Sequence, residues 1–135
     1  MTVSPNSIIT PQKPCGGSVA LGAAANTNLV TPTNTTQLLD PGADGARLTR
    51  VEFLATASQV ATQVQLYADK SGAKRLIRAK AFPAYSLSTT NDITPVDMGF
   101  SDANPLTLDP NEVLYVASAV AVTGINCRYE GGKYS

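Results

Sequence analysis

Turn chemistry recurs about every ten residues along this chain, and the stretches it leaves between are too short for helices. Asp40-Pro41-Gly42, Asp44-Gly45, Asp69-Lys70-Ser71-Gly72 and Asp109-Pro110-Asn111 are turns by composition. Proline presets its own φ, glycine accepts a positive one, and Asp or Asn satisfies the backbone two residues further on. Between the turns, apolar residues alternate with polar ones where they follow any period at all, and period two is the spacing of a half-buried strand. Only residues 55–61 have helical character, and Thr56, Ser58 and Val60 weaken it. A chain punctuated in this way folds from short strands.

Residues 62–68 give the clearest alternation, with Val64, Leu66 and Ala68 on one side and Gln63, Gln65 and Tyr67 on the other. After the turn at 69–72, residues 75–82 return, with Ile77, Ala79 and Ala81 opposite Leu76, Arg78 and Lys80. This is a hairpin. Residues 47–57 make a long strand in which Leu48, Val51, Phe53 and Leu54 mix with Arg50 and Glu52, an imperfect alternation that predicts a bulge. Weaker strands are expected at 18–23, 37–40, 85–88, 96–100, 105–108 and 125–129. Residues 113–116 are apolar on both faces, so this strand has to be covered twice, by the facing sheet and by another layer or subunit. The sum is an all-β, single-domain β-sandwich, jelly-roll-like, over residues 18–135. Residues 1–17 read as an extended N-terminal arm, because Pro5, Pro11 and Pro14 remove ladder donors and Gly16-Gly17 makes a joint. Ile8 and Ile9 are its apolar anchor.

Composition bears on function mainly by exclusion. The chain has 135 residues and no histidine, and its ten Lys and Arg balance ten Asp and Glu. Without histidine the commonest general base and the commonest zinc ligand are missing. No Gly-x-Ser-x-Gly context supplies a nucleophile, and the one Ser-x-x-Lys spacing, Ser71 to Lys74, falls in the turn at 69–72, so no enzyme is expected. Zero net charge argues against nucleic acid and against an anionic membrane as partners. No run of apolar residues is long enough to span a bilayer, and the proline-rich start is no secretory signal. The loop 40–45 lacks the alternating ligands and closing Glu of a calcium site, and Cys15 and Cys127 alone make no zinc site, so neither metal nor cofactor is expected. Those two cysteines are read as free thiols by default, with a bridge as the alternative. Charged residues are 15% of the chain, against ~25% in ordinary soluble domains. A surface so sparsely charged is poorly protected against self-association, which suits a protein covered by neighbours.

The placement of charge is uneven. Lys70, Lys74, Arg75, Arg78 and Lys80 crowd one segment, and Asp92, Asp97, Asp102, Asp109 and Glu112 another that has no Lys or Arg. Such a split either builds a bipolar surface for head-to-tail contacts between copies or merely solvates two hairpins. On the first reading Arg75, Arg78 and Lys80 are candidate interface residues, with Ile8 and Ile9 on the arm.

Four stretches carry a resemblance: Ser4-Pro5-Asn6-Ser7-Ile8-Ile9-Thr10-Pro11-Gln12, Gly42-Ala43-Asp44-Gly45-Ala46-Arg47-Leu48-Thr49-Arg50, Gln65-Leu66-Tyr67, and residues 108–116. Together they resemble small virion structural proteins of tailed bacteriophages, most of all capsid decoration (cement) proteins. The resemblance implies a homotrimer on the outer face of the capsid, bound to the major capsid protein, made in the host bacterial cytoplasm and stabilising the head. It assigns no individual functional residue. Two other uses of the same fold stand beside it. One is a phage tail, baseplate or head–tail connector protein; the other is a carbohydrate-binding module, against which the lack of Trp counts.

Overall fold

A computed structural model of the chain describes residues 13–22, 24–90, 92–121 and 124–134. Among them are nine strands: β1 (Lys13–Ala20), β2 (Thr36–Leu39), β3 (Ala46–Ala55), β4 (Thr62–Lys70), β5 (Ala73–Phe82), β6 (Val96–Asp97), β7 (Leu106–Leu108), β8 (Val113–Ser118) and β9 (Ile125–Lys133). The described residues contain no helix, and residues 56–61 leave β3 as a bend and a single bridge. Ile8 and Ile9 lie outside the described residues.

The strands form two antiparallel sheets packed as a β-sandwich. One sheet runs β1-β9-β3, with β6 and β7 both on the far side of β3; the other runs β2-β8-β4-β5. The pairing is nested. First pairs with last (β1–β9), second with second-last (β2–β8), third with the interrupted pair β6/β7, and β4 with β5. Among the described residues the only tight hairpin is therefore the one read from the alternation at 62–82, and apart from β6 to β7 every other connection passes from one sheet to the other. The core fills the space between: Leu48, Val51, Phe53, Ile125 and Cys127 from one sheet meet Val64, Leu66, Leu114, Val116 and Phe82 from the other, all with little or no exposure.

The bulge expected in the long strand lies between Leu48 and Arg50 of β3, opposite Gly131 and Glu130. There the strands press so closely that a β-carbon on Gly131 would stand 2.7 Å from the Cα of Leu48. Only glycine fits such an approach. Outward of it, Arg50 lies opposite Glu130 and Glu52 opposite Arg128, so cross-strand pairs of opposite sign cover this face.

The edge strand β1 begins at Lys13, five residues before the expected boundary at Ser18. Lys13 to Gly17, read as arm, pair with β9 from Lys133 to Tyr129. Glycine is a poor strand former, but here the partner supplies the missing cover. A β-carbon on Gly17 would come within 3.1 Å of the Tyr129 hydroxyl, so the tyrosine ring lies over the glycine. The same register separates the cysteines. Cys15 stands opposite Gly131 while Cys127 stands opposite Val19, four residues along β1. At ~3.3 Å per residue that is about 13 Å, twice what a disulfide spans. Both are free.

The outer face of β8 is covered by the chain itself only at its C-terminal end, where Ala117 is buried, while Val113 and Tyr115 stay half-buried. Asn26 accepts a place on the outer face by donating its backbone N–H to Ser118 O at 2.8 Å, and its side-chain Nδ2 donates to Gln65 Oε1 at 2.9 Å and to the Tyr67 hydroxyl at 2.8 Å. Asn26, Gln65 and Tyr67 are all buried by this clamp.

Candidate functional site

The basic residues of β5 take positions that their sequence alternation hides. An extra residue, Ile77, breaks the register with β4 between Leu66 and Tyr67. As a result Arg75, Arg78 and Lys80 stand opposite Ala68, Leu66 and Val64, three core residues. Directly opposed side chains share a face, so the basic row lies on the inner side of the sheet, at the rim of the sandwich. Ala79 and Ala81, opposite Gln65 and Gln63, lie on the outer face.

Long basic side chains tolerate such a place by burying their stems and carrying their charged ends to polar groups. Arg78 donates from Nη1 to the Met98 carbonyl at 2.7 Å, with its guanidinium 4.1 Å from the centre of the Phe100 ring. Lys80 Nζ donates to the Asp97 carbonyl at 2.7 Å. Both therefore tie β5 to the backbone at and just after β6, closing the sandwich along half of this edge. Arg75 is exposed, and among the described residues it has neither hydrogen bond nor ion pair.

Beside Arg75 the edge stays open. A cleft of about 460 Å³ runs between the β4–β5 end of one sheet and β7 of the other. Ala68, Ile77 and Leu106 give it an apolar floor, and Lys70, Arg75 and Glu112 are on its rim. Two of these are engaged: Lys70 Nζ meets Asp109 Oδ2 at 2.5 Å, and Glu112 Oε1 accepts the Asp109 N–H at 3.0 Å. The Asp109 carboxylate also holds Lys70 charged above the usual lysine range, chiefly through that hydrogen bond.

The two charged segments are thus brought face to face. Besides Lys70 with Asp109, Arg47 lies 3.6 Å from Asp102, and Asp97 Oδ1 accepts the Gly99 N–H at 2.8 Å. The nested pairing places β5 across one edge of the sandwich from β6 and β7, so members of the basic and acidic segments meet there. No group of three His, Cys, Asp or Glu side chains able to hold a metal ion occurs among the described residues. In the loop 40–45, Asp40 Oδ1 accepts the Gly42 N–H at 3.0 Å, turn chemistry within its own backbone.

The cleft was not legible beforehand. Its one sequence signal is indirect, the short Leu106-Thr107-Leu108 segment after Pro105, too brief to run alongside the whole of β5. Comparison of the chain with protein-family models, curated proteins and solved structures finds no match.

Proposed function

We propose that this protein is a passive structural component of a bacteriophage particle: a decoration protein that binds the outside of the capsid lattice and stabilises the head. The observation that carries the reading is the winding of the chain. Counting β6 and β7 as one interrupted strand, the nested pairing supports the reading as a double Greek-key jelly roll, an architecture used by viral capsid and lectin domains. A second support is that Lys13, where the described residues begin, lies on the outermost strand of a sheet, an attachment from which a strap would reach a neighbour without disturbing the core.

The lectin use of the same winding is disfavoured by the tyrosines. Sugar platforms need exposed aromatic faces, yet four of the five tyrosines are otherwise engaged: Tyr67 is buried, Tyr115 lies under Lys74, Tyr85 packs edge-on to Phe82, and Tyr129 lies over Gly17. On a shell, binding is multivalent: once one subunit of an oligomer is seated, contacts by its siblings are effectively intramolecular, adding ~10²–10⁴ in avidity.

The test is sedimentation of the purified protein with capsids that lack it. The full chain is expected to co-sediment at a copy number matching the lattice, and a chain without residues 2–12 to bind more weakly with its fold intact. Equal occupancy by the shortened chain removes the strap, and a dozen or fewer copies per particle moves the protein to the tail, baseplate or connector. Absence from purified heads removes the proposal.

A further inference from the structure

We infer that the apolar pair Ile8-Ile9 of one copy seats in the cleft between β5 and β7 of a neighbouring copy, so that the arms link copies head to tail. The cleft is unfinished in a specific way. Arg75, Arg78 and Lys80 form one row along the inner face of β5, and the second and third each grip a main-chain carbonyl across the gap, both at 2.7 Å. Arg75 has no such carbonyl among the described residues, because β7 is only three residues long and pairs with the far end of β3. An extended backbone laid along the cleft offers Arg75 the acceptor that its neighbours in the row already have, and Ile77, Leu106 and Ala68 offer apolar contact to its side chains. β5 is the outermost strand of its sheet, an edge of the kind that accepts an added strand.

The chain carries a segment of matching chemistry. Residues 1–12 contain no charged side chain, so seating them desolvates no ion. Between Pro5 and Pro11 the run Asn6-Ser7-Ile8-Ile9-Thr10 keeps every backbone N–H and holds the segment's two isoleucines.

Reach decides whose cleft it fills. Lys13, Lys133, Ala46 and Leu108 lie abreast across β1, β9, β3 and β7. Three strand spacings put Lys13 about 14 Å from Leu108, and the cleft begins beyond it, at Leu106 and Thr107. Ile9 and Ile8, four and five residues upstream, reach at most about 14 and 18 Å from Lys13 when fully extended, no further than the near edge of the cleft, so the run cannot lie along the cleft of its own chain. A neighbour's run can. Because β1 and β7 are at opposite edges of one sheet, arm and cleft are different surfaces, and a contact between two different surfaces joins copies head to tail.

The inference concerns contacts between copies and is tested on the purified full-length protein with no capsid present, so it stands or falls separately from the proposed role on a head. Two differently tagged populations are mixed, Ile9→Cys in one and Leu106→Cys in the other, both with Cys15→Ser; Cys127 is fully buried and does not compete. Mild oxidation is expected to yield a disulfide-linked pair carrying both tags. No such pair, or a doubly substituted chain that cross-links only within itself, overturns the exchange. In sedimentation velocity, Ile8→Asp with Ile9→Asp is expected to weaken self-association about a hundredfold and Arg75→Ala about tenfold, with the melting of the body unchanged. An unaltered oligomeric state in the arm variant overturns the inference.

Discussion

Asn26 is the residue on which the outer cover of the β2-β8-β4-β5 sheet depends. It is fully buried, and its side chain donates to Gln65 Oε1 and the Tyr67 hydroxyl while its Oδ1 accepts the Thr33 N–H at 3.2 Å. A buried polar network of this kind stabilises only when every member is satisfied. Asn26→Ala leaves the Thr33 N–H without its acceptor and is expected to cost about 2–4 kcal/mol in urea unfolding. Tyr67→Phe is expected to cost less, because Gln65 keeps other partners, and the double variant to fall short of the sum. The same tyrosine gives a pH dependence. Burial raises its phenol above the ordinary value, and the Asn26 hydrogen bond only partly offsets that. The neutral form is thus favoured by folding; its contribution is whole below the ordinary pKa of about 10 and is lost as pH rises past it, so stability should fall in strong alkali and fall less in Tyr67→Phe. Cys127 behaves alike, its thiol pushed far up by burial and then by Glu52. It should resist alkylation until the protein unfolds, while the half-buried Cys15 reacts slowly in the native state, and thiol counting should find two free groups.

At the scale of the element, the hairpin at 62–82 is the clearest case of what alternation reveals and what it conceals. The turn at 69–72 and both strands are in place, with Asp69 Oδ1 accepting the Gly72 N–H at 3.0 Å. The phase of β5 is not, because a single extra residue at Ile77 exchanges the faces and carries Arg78 and Lys80 to the core side. Charge alone argues for the opposite face, and only the carbonyls of Asp97 and Met98, distant in sequence, make the inner rim habitable. β1 was hidden for a related reason: the strand signal of Gly16-Gly17 is nil, and the strand exists through β9 and the Tyr129 ring. Residues 85–88 and 96–100 illustrate the converse, since they have strand composition but contribute only a bridge at Tyr85 and the two-residue β6. The cleft leaves only the indirect trace of the short segment 106–108, because it arises from where two sheet edges fail to meet. Arg78 is the place to test the element. Arg78→Met keeps the stem and removes both the carbonyl hydrogen bond and the contact with Phe100, and should destabilise by about 2–3 kcal/mol. The loss should be concentrated at the edge, so amide exchange should quicken in β5 and β6 before the centre of either sheet responds.

For the whole molecule, nesting makes the end of the chain indispensable. β9 holds the last described strand, Ile125–Lys133, yet it lies between β1 and β3 as an inner strand of its sheet. It supplies Ile125 and Cys127 to the core and both ladders to its neighbours. Without it β1 has no partner in its sheet, β3 loses one edge, and the core opens along its length. A chain ending at residue 124 is therefore expected not to fold, with no cooperative transition in urea and no protected amides, whereas a chain lacking residues 2–12 should melt like the full protein. The same topology governs the rate. Apart from β4–β5, every pairing joins residues far apart in sequence, and such loops must be closed before their contacts stabilise anything. Refolding is expected in milliseconds to seconds, as one transition, with the local hairpin 62–82 the natural place for it to start. Stopped-flow refolding of a Val64→Ala variant checks this: if the hairpin leads, the folding rate drops with the loss of stability, and if β1–β9 leads, the loss appears in the unfolding rate instead.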